Sequence, residues 1–431
     1  MELGEVYLVS GKRTPHAKAG LDLADVAAPF LGTYLLTYLL DSHAIPASAI
    51  DEVIIGNIGA PAKYANVSRV IALEAGLDES VSAYTVHRNC ASGMEAMSQA
   101  FLKIACGRAD LIMAGGVESM TQMPLMFGKD MTDLFMNIMK AKKVPDKLKA
   151  LKAFRPGHLA PVIAIEQGLT DPFEGINMGQ TAELIARELG ITREEQDLYA
   201  NNSHHKAAAA MESGRMAEEI LPITVGKKLS KILANDVGPR NNSTIEGLAK
   251  LKPFFEKKSG TVTVGNSCPI TDGGSLFLMA SAEAVKKHNL EPIARMVDFH
   301  FNGLSPARMG MGPLVAMDGL FKRSGFTLDQ MDKVEINEAF AAQILGVKKG
   351  FTDKKVADAY KVDKLWGELP DEKLNVSGGA IALGHPVGSS GSRIVLTLAH
   401  NLMQSKQKYG IASLCIGGGQ GGAVIIENLV K

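Results

Sequence analysis

The feature that most constrains this chain is an order of elements that occurs twice. Through residue 117, short β-branched runs alternate with helical stretches. "EVYLVS", "DEVIIGNIG", "VSAYTVH" and "ADLIMAGGV" read as strands. Residues 23–43, "NVSRVIALEAG" and 91–107 between them read as helices. The order returns after residue 290, with strands "IARMVDF", "DKVEIN" and "KLNVSG" and helices over 313–323, 338–350 and 386–404. A closing pair, "GIASLCIG" and "GAVIIEN", ends it. Such a βαβ series predicts a mostly parallel sheet with helices on both faces. Its repetition predicts an α/β fold of two duplicated halves about a pseudo-two-fold axis. Ligands then belong at the C-terminal ends of the strands.

Residues 118–255 lack the strand rhythm, and "SLFLMAS" resumes it. The predicted divisions are a first half of 1–117 plus 260–290, an inserted loop (lid) domain of 118–259, and a second half of 291–431. A smaller insert surrounds Trp366.

The chain has 431 residues, with 46 Lys+Arg against 46 Asp+Glu, so it lacks the basic footprint of a nucleic-acid binder. Four dispersed cysteines without a CxxC pair argue against a disulfide scaffold or a zinc site, and no metal is expected. The N-terminus has no signal-peptide pattern, and "APFLGTYLLTYLL" is too short for a membrane span; the reading is a cytoplasmic protein.

Four signals carry chemistry. Cys90, in "HRNCASG", stands between a strand and a helix, where a helix N-terminus lowers a thiol's pKa; the alternative is a packed cysteine. His385, in "NVSGGAIALGHPVGSSGSR", holds the equivalent place in the second half, so the two can meet as an activated thiol pair. "CIGGGQGG" matches GxGxxG literally, but no helix follows, which excludes a dinucleotide site. It reads instead as Cys415 on a strand-to-strand turn whose backbone N–H groups, including that of Gly417, could bind an oxyanion. Asn337, in "INEAFAAQ", ends a strand; it is a helix cap or the holder of a water or an oxyanion. His204 and His205 are expected to face solvent. The basic stretch "KAKKVPDKLKALK" is a solvated helix face, or meets coenzyme phosphates, a membrane surface or a partner protein.

Taken in order, "NCASG", "MGQTAE", "GNSCPITDGG", "MGMGP", "NEAFA", "NVSGGAIALGHPVGSSG" and "CIGGGQGG" resemble the thiolase family over nearly the whole chain. The resemblance implies two similar halves in five αβαβα layers, a loop domain inserted in the first, homodimers or homotetramers, and coenzyme A thioesters as substrates. No tightly bound cofactor is implied, coenzyme A being substrate or product. By resemblance, Cys90 is the acyl-accepting nucleophile, His385 its base, and Cys415 the acid/base at the α-carbon of acetyl-CoA. Asn337 holds a water in one oxyanion hole, shared with His385, and the N–H groups of Cys90 and Gly417 form the other. Arg240 falls where the family contacts adenine, and Met178, Met309 and Phe340 where it lines the acyl and pantetheine pocket. Cys268 stands where short-chain biosynthetic thiolases carry a Ser against the pantetheine arm, and Asn177 where they carry a His. Both argue against strict acetoacetyl-CoA specificity.

The lid segment and the insert near Trp366 resemble the thiolase subunit of the β-oxidation trifunctional complex, which makes a hydratase/dehydrogenase subunit a candidate partner. That subunit type usually has His in place of Asn337. The resemblance therefore implies a 3-ketoacyl-CoA thiolase, with an acetoacetyl-CoA-forming acetyltransferase as the alternative. A ketoacyl- or hydroxymethylglutaryl-synthase-type enzyme would lack Cys415, and a non-catalytic lipid carrier would not need the full catalytic set.

Overall fold

A computed structural model describes residues 3–430. Nine strands carry the architecture: β1 (Val6–Arg13), β2 (Glu52–Gly56), β3 (Ser82–Val86), β4 (Leu111–Ser119), β5 (Thr271–Ser281), β6 (Ala294–Gly303), β7 (Lys333–Ile336), β8 (Tyr409–Ile416) and β9 (Gln420–Asn428). The principal helices are α1 (Ala28–Ser42), α2 (Val67–Glu74), α3 (Ser92–Ala105), α4 (Met178–Leu189), α5 (Arg193–Glu212), α6 (Gly312–Ser324), α7 (Ala341–Thr352) and α8 (Val387–Ser405).

The sheet runs β7-β8-β9-β6-β1-β5-β4-β2-β3, with Ala17–Lys18 paired onto β5. Its centre is the short antiparallel contact of β1 with β6, from Val6 opposite Met296 to Leu8 opposite Ala294. On either side the strands follow the same order, so the duplication read from element order is present in the topology. The sheet is mixed, however, not mostly parallel. Only β2–β3, β2–β4 and β7–β8 are parallel among these pairs. The reason is that β5 returns antiparallel between β1 and β4, and β9 returns between β8 and β6.

Alternation within the strands builds layers. Val53, Ile55, Leu276 and Leu278 face one way, onto Leu31, Leu35 and Leu39 of α1. Ile54, Phe277 and Met279 face the other way, onto Met94, Met97 and Phe101 of α3 and Ile394, Val395 and Leu398 of α8. Ala412, Leu414 and Val424 approach the same central helices from the second half. Ile411, Ala423 and Ile425 point outward onto Leu314, Met317 and Phe321 of α6. Strands with a period of two and both faces buried need apolar residues on both faces, which is why they read as continuous apolar runs.

The central helices α3 and α8 touch through small residues. A Cβ at Gly391 would lie 2.5 Å from the Met94 backbone nitrogen, and one at Gly93 2.8 Å from Ser392 Oγ. This close crossing brings the two helix starts, hence Cys90 and His385, toward one another.

The inserted segment is not strandless. It holds two small ribbons, Leu125–Phe127 with Pro161–Ile163 and Ile223–Val225 with Lys231–Leu233. Helices α4 and α5 open on complete capping boxes, Asn177 with Gln180 and Thr192 with Glu195. The basic stretch forms a helix over Val144–Leu151 with no buried residue. "KLNVSG" makes no strand beyond a single bridge of Leu374 to Val334. Among the described residues, no helix is long and apolar enough to cross a membrane.

Candidate active site

Cys90 leads into α3 from Asn89, which holds a left-handed backbone at φ +44°; Asn tolerates that conformation better than most residues. Ser92 Oγ ties this turn down, accepting from Arg88 N at 2.9 Å and donating to Asn89 O at 2.7 Å. Asn89 Nδ2 donates across the interface to Gly417 O at 2.8 Å, which fixes the Cys415–Gly417 turn against Cys90.

The half-buried Cys90 thiol has its pKa raised by burial, with N–H bonds from Gly417 and from its own backbone pulling the other way. The direction is opposite to the lowering expected from a helix N-terminus, and its largest cause is the loss of water around the thiol. The lowering influence of Gly417 places its N–H beside the nucleophile.

Cys415, on β8, is fully buried, and its pKa is raised by burial and then by the nearby Cys90 and Cys268 thiols. Burial, then Cys90, push the Cys268 thiol up to about 12. The three thiols therefore form one cluster, and Cys106 is exposed elsewhere.

His385 follows Gly384, whose φ of +97° and a would-be Cβ 2.2 Å from Thr271 leave room for glycine alone. Its backbone N–H bonds Pro269 O at 3.1 Å, and Cys268 N bonds Ala339 O at 3.1 Å. The 267–270 strip thus runs between Phe340 and His385, and carries Cys268 between them. His385 Nδ1 bonds Ser390 Oγ at 2.6 Å, and that hydroxyl reaches Pro386 O at 3.2 Å. A serine that donates to Pro386 must accept from Nδ1–H, which leaves Nε2 as the free acceptor. Nε2 is buried and has no protein partner. Burial, then Arg393, lower the imidazole's pKa to about 3.

Asn337 does not cap a helix. β7 ends at Ile336 and α7 begins at Ala341, with Phe340 at the cap position. The intervening turn is tied to the 266–268 strip, Ala341 N bonding Asn266 O at 2.9 Å. Asn337 N bonds Ser413 O at 3.0 Å, two residues before Cys415. The side chain is fully buried; Oδ1 accepts from Arg393 Nη2 at 3.3 Å and Nδ2 has no partner.

Met178, Met309 and Phe340 join Cys415 in one apolar cluster. Met178 Sδ would lie 3.5 Å from a Cβ on Gly417, and Phe255 packs edge-on against Phe340 at 5.9 Å. Arg240 is exposed, on a loop whose Gly238 presses on Ala382 just before His385. His204 is buried, contrary to expectation, its pKa lowered to about 4 by burial and then by Arg240. His205 is exposed and bonds Ser243 O at 2.9 Å. Asn177 serves as the N-cap of α4.

Sequence reasoning missed Ser390, Arg393 and Glu338. Glu338 is buried and accepts from Tyr199, Ser203, Asn375 and Ile381 N at 2.6–3.1 Å. All three lie inside quoted motifs, and the available signal was a polar residue in a segment otherwise destined for the core.

Comparison with known proteins identifies the family. Residues 6–283 match "Thiolase, N-terminal domain" and residues 290–428 match "Thiolase, C-terminal domain". A probable acetyl-CoA acyltransferase of Staphylococcus aureus strain N315 is 38% identical, covering 98% of each chain. The crystal structure of the Bacillus anthracis acetyl-CoA acetyltransferase superposes with a TM-score of 0.86 at 35% identity, over 99% of this chain and 100% of that one. Human mitochondrial 3-ketoacyl-CoA thiolase gives 0.86 at 35% identity over 100% of both chains, and its complex with CoA gives 0.85 over 99% of both.

Proposed function

The chain belongs to the thiolase family and is an acyltransferase enzyme, and from that premise we propose that it is a 3-ketoacyl-CoA thiolase acting through acyl-Cys90. The observation that carries this reading is the cluster of Cys90, Cys268 and Cys415 with Gly417 beside Cys90, together with the strip that carries Cys268 and pairs at Ile270 with His385.

A raised thiol pKa and a lowered imidazole pKa favour a neutral Cys90–His385 pair at rest. His385 Nε2 takes the thiol proton as Cys90 sulfur attacks the ketone carbon of the 3-ketoacyl-CoA. The oxyanion forms against the N–H groups of Cys90 and Gly417. When the C2–C3 bond breaks, its electron pair becomes the enolate of acetyl-CoA, and the Cys415 thiol protonates that carbon. The buried Asn337 Nδ2 supports the other oxyanion hole, for the enolate oxygen. CoA then gives its thiol proton to Cys415 and takes the acyl group, and Cys90 recovers its proton from His385. Condensation is the reverse. Every step uses groups of the chain and its substrates.

The Cys268 thiol in place of a hydroxyl, and Asn177 engaged as a helix cap, support substrates longer than acetoacetyl-CoA. Four free cysteines, three of them clustered without a disulfide, support a reducing, cytoplasmic setting. The test is thiolysis of a ladder of 3-ketoacyl-CoAs by the purified chain, with Cys90→Ala as control. Turnover reaching the long chains is expected. Turnover of acetoacetyl-CoA alone would make it a short-chain acetyltransferase, and none on any rung would reject the reading.

A further inference from the structure

Arg393 ends the second turn of α8, beside Ile394, Val395 and Leu398, with no exposed surface. Its nearest carboxylate, Glu335 Oε2, is 4.0 Å from Nη1, and Nε and Nη1 have no hydrogen-bond partner among the described residues. A buried guanidinium so thinly compensated costs several kcal/mol, and an aliphatic residue would pack this layer at no such cost. Among the described residues, the one hydrogen bond its side chain makes is to Asn337 Oδ1.

That bond decides which way the amide lies. A guanidinium only donates, so the oxygen of Asn337 must face it. The NH₂ group is then forced to the opposite side, where it is buried without a protein partner.

Glu335 is held in turn. Its Oε1 accepts from Asn401 Nδ2 at 3.1 Å, and Asn401 Oδ1 accepts from Arg215 Nε at 2.9 Å. Arg215 bonds Glu219 at 3.0 Å, and Glu219 bonds Arg13 of β1 at 2.7 Å. This buried chain joins both halves and the inserted segment, and Asn337 is its end.

We propose that Arg393 is a positioning residue for the reaction, which orients the Asn337 amide so that Nδ2 donates toward the enolate oxygen. The assignment rests on the reading of Asn337 given under the proposed function. A charged hydrogen bond that aims an oxyanion donor is worth about 10- to 100-fold in rate.

The test is a double-mutant cycle on the full-length enzyme, reading kcat, KM and the exchange of acetyl-CoA methyl protons with deuterated water. Arg393→Met is expected to lower kcat and exchange together by about 10- to 100-fold, with KM for CoA within about threefold. In an Asn337→Ala background the same change should cost less than about threefold. Should Arg393→Met fail to fold, Arg393→Lys serves: about 3- to 10-fold loss alone, under about twofold without Asn337. Equal losses in both backgrounds would overturn the assignment while leaving Asn337 in its role. Undiminished exchange in Asn337→Ala alone would remove that role and the assignment with it.

Discussion

The two halves share a strand order and differ at one strand. In the first half β3 pairs with β2 over five residues, Ser82–Val86 against Glu52–Gly56. Its counterpart, 373–378, makes one bridge to β7. There the side chain of Asn375 does what a backbone ladder does elsewhere: Oδ1 accepts from Ile336 N at 2.8 Å and Nδ2 donates to Ile336 O at 2.9 Å. The same Nδ2 also reaches Glu338 Oε1 at 2.9 Å. A regular strand would leave Glu338, next to Asn337, without this partner. The first half keeps its ladder and places a thiol at its strand end; the second keeps two backbone bonds at Val334, continues them with side-chain bonds, and places an imidazole and an amide. Duplication thus supplied the frame, and departure from symmetry supplied the chemistry.

The largest effect should fall on the strand end of the first half. Cys90→Ala is expected to lower thiolysis kcat by about 10⁴-fold or more while unfolding is unchanged, because a nucleophile is lost and packing is not. Steady-state kinetics beside denaturant melts would show it. In the second half the balance shifts to stability. Asn375→Ala should destabilise by about 2–4 kcal/mol, since it strands Ile336 N–H and a buried carboxylate acceptor. Thr85→Ala in β3 leaves the backbone ladder intact and removes only a hydroxyl that accepts from Ser68 N and donates to Asn66 Oδ1, each at 3.1 Å, so it should cost about 1–1.5 kcal/mol. Equal losses in urea unfolding would erase the contrast.

The pH dependence of stability has the same origin in burial. His16 and His385 are lowered to about 3, and His204 and His400 to about 4, each by burial first. A histidine lowered in the native state binds its proton better when unfolded, so its contribution is complete above about pH 6.5 and is lost as pH falls. Burial raises Glu118 and Glu335 to about 8, and their contribution is complete below about pH 4.5 and lost as pH rises through 8. The guanidinium midpoint should therefore drop steeply between about pH 4.5 and 3, where the histidine losses are joined by those of Glu219 and Asp236, buried acids in which the raising effect of burial is outweighed by Arg215 and Arg13.

Smaller effects separate pocket from surface. Cys268→Ser should change KM across the substrate ladder by less than about tenfold, with kcat nearly constant, as a contact to the substrate arm requires. Reversing Lys142, Lys143 and Lys147, which are exposed on the inserted segment, should move neither thiolysis nor stability beyond about 0.5 kcal/mol.

Much of this was legible from sequence, for physical reasons. Apolar runs with a period of two located the strands, and glycines around His385 and Cys415 marked turns that no Cβ could occupy. Parallel against antiparallel pairing was not legible, because β5 joins its sheet across more than 150 residues. The Cys90 pKa was misjudged because local sequence shows a helix start and not the burial around it. Asn337 looked like a cap because the four-residue turn 337–340 is fixed by a distant strip, 266–268. Arg393 passed unnoticed since its partners, Asn337 and Glu335, lie more than 50 residues away.

The most direct test of the central claim is mass spectrometry of the chain after brief incubation with acetyl-CoA and digestion. One acetyl group on the peptide containing Cys90, absent in Cys90→Ser and persistent until CoA is added, is the predicted result. No acetylation, or acetylation on Cys268 or Cys415 with Cys90 unmodified, would contradict it.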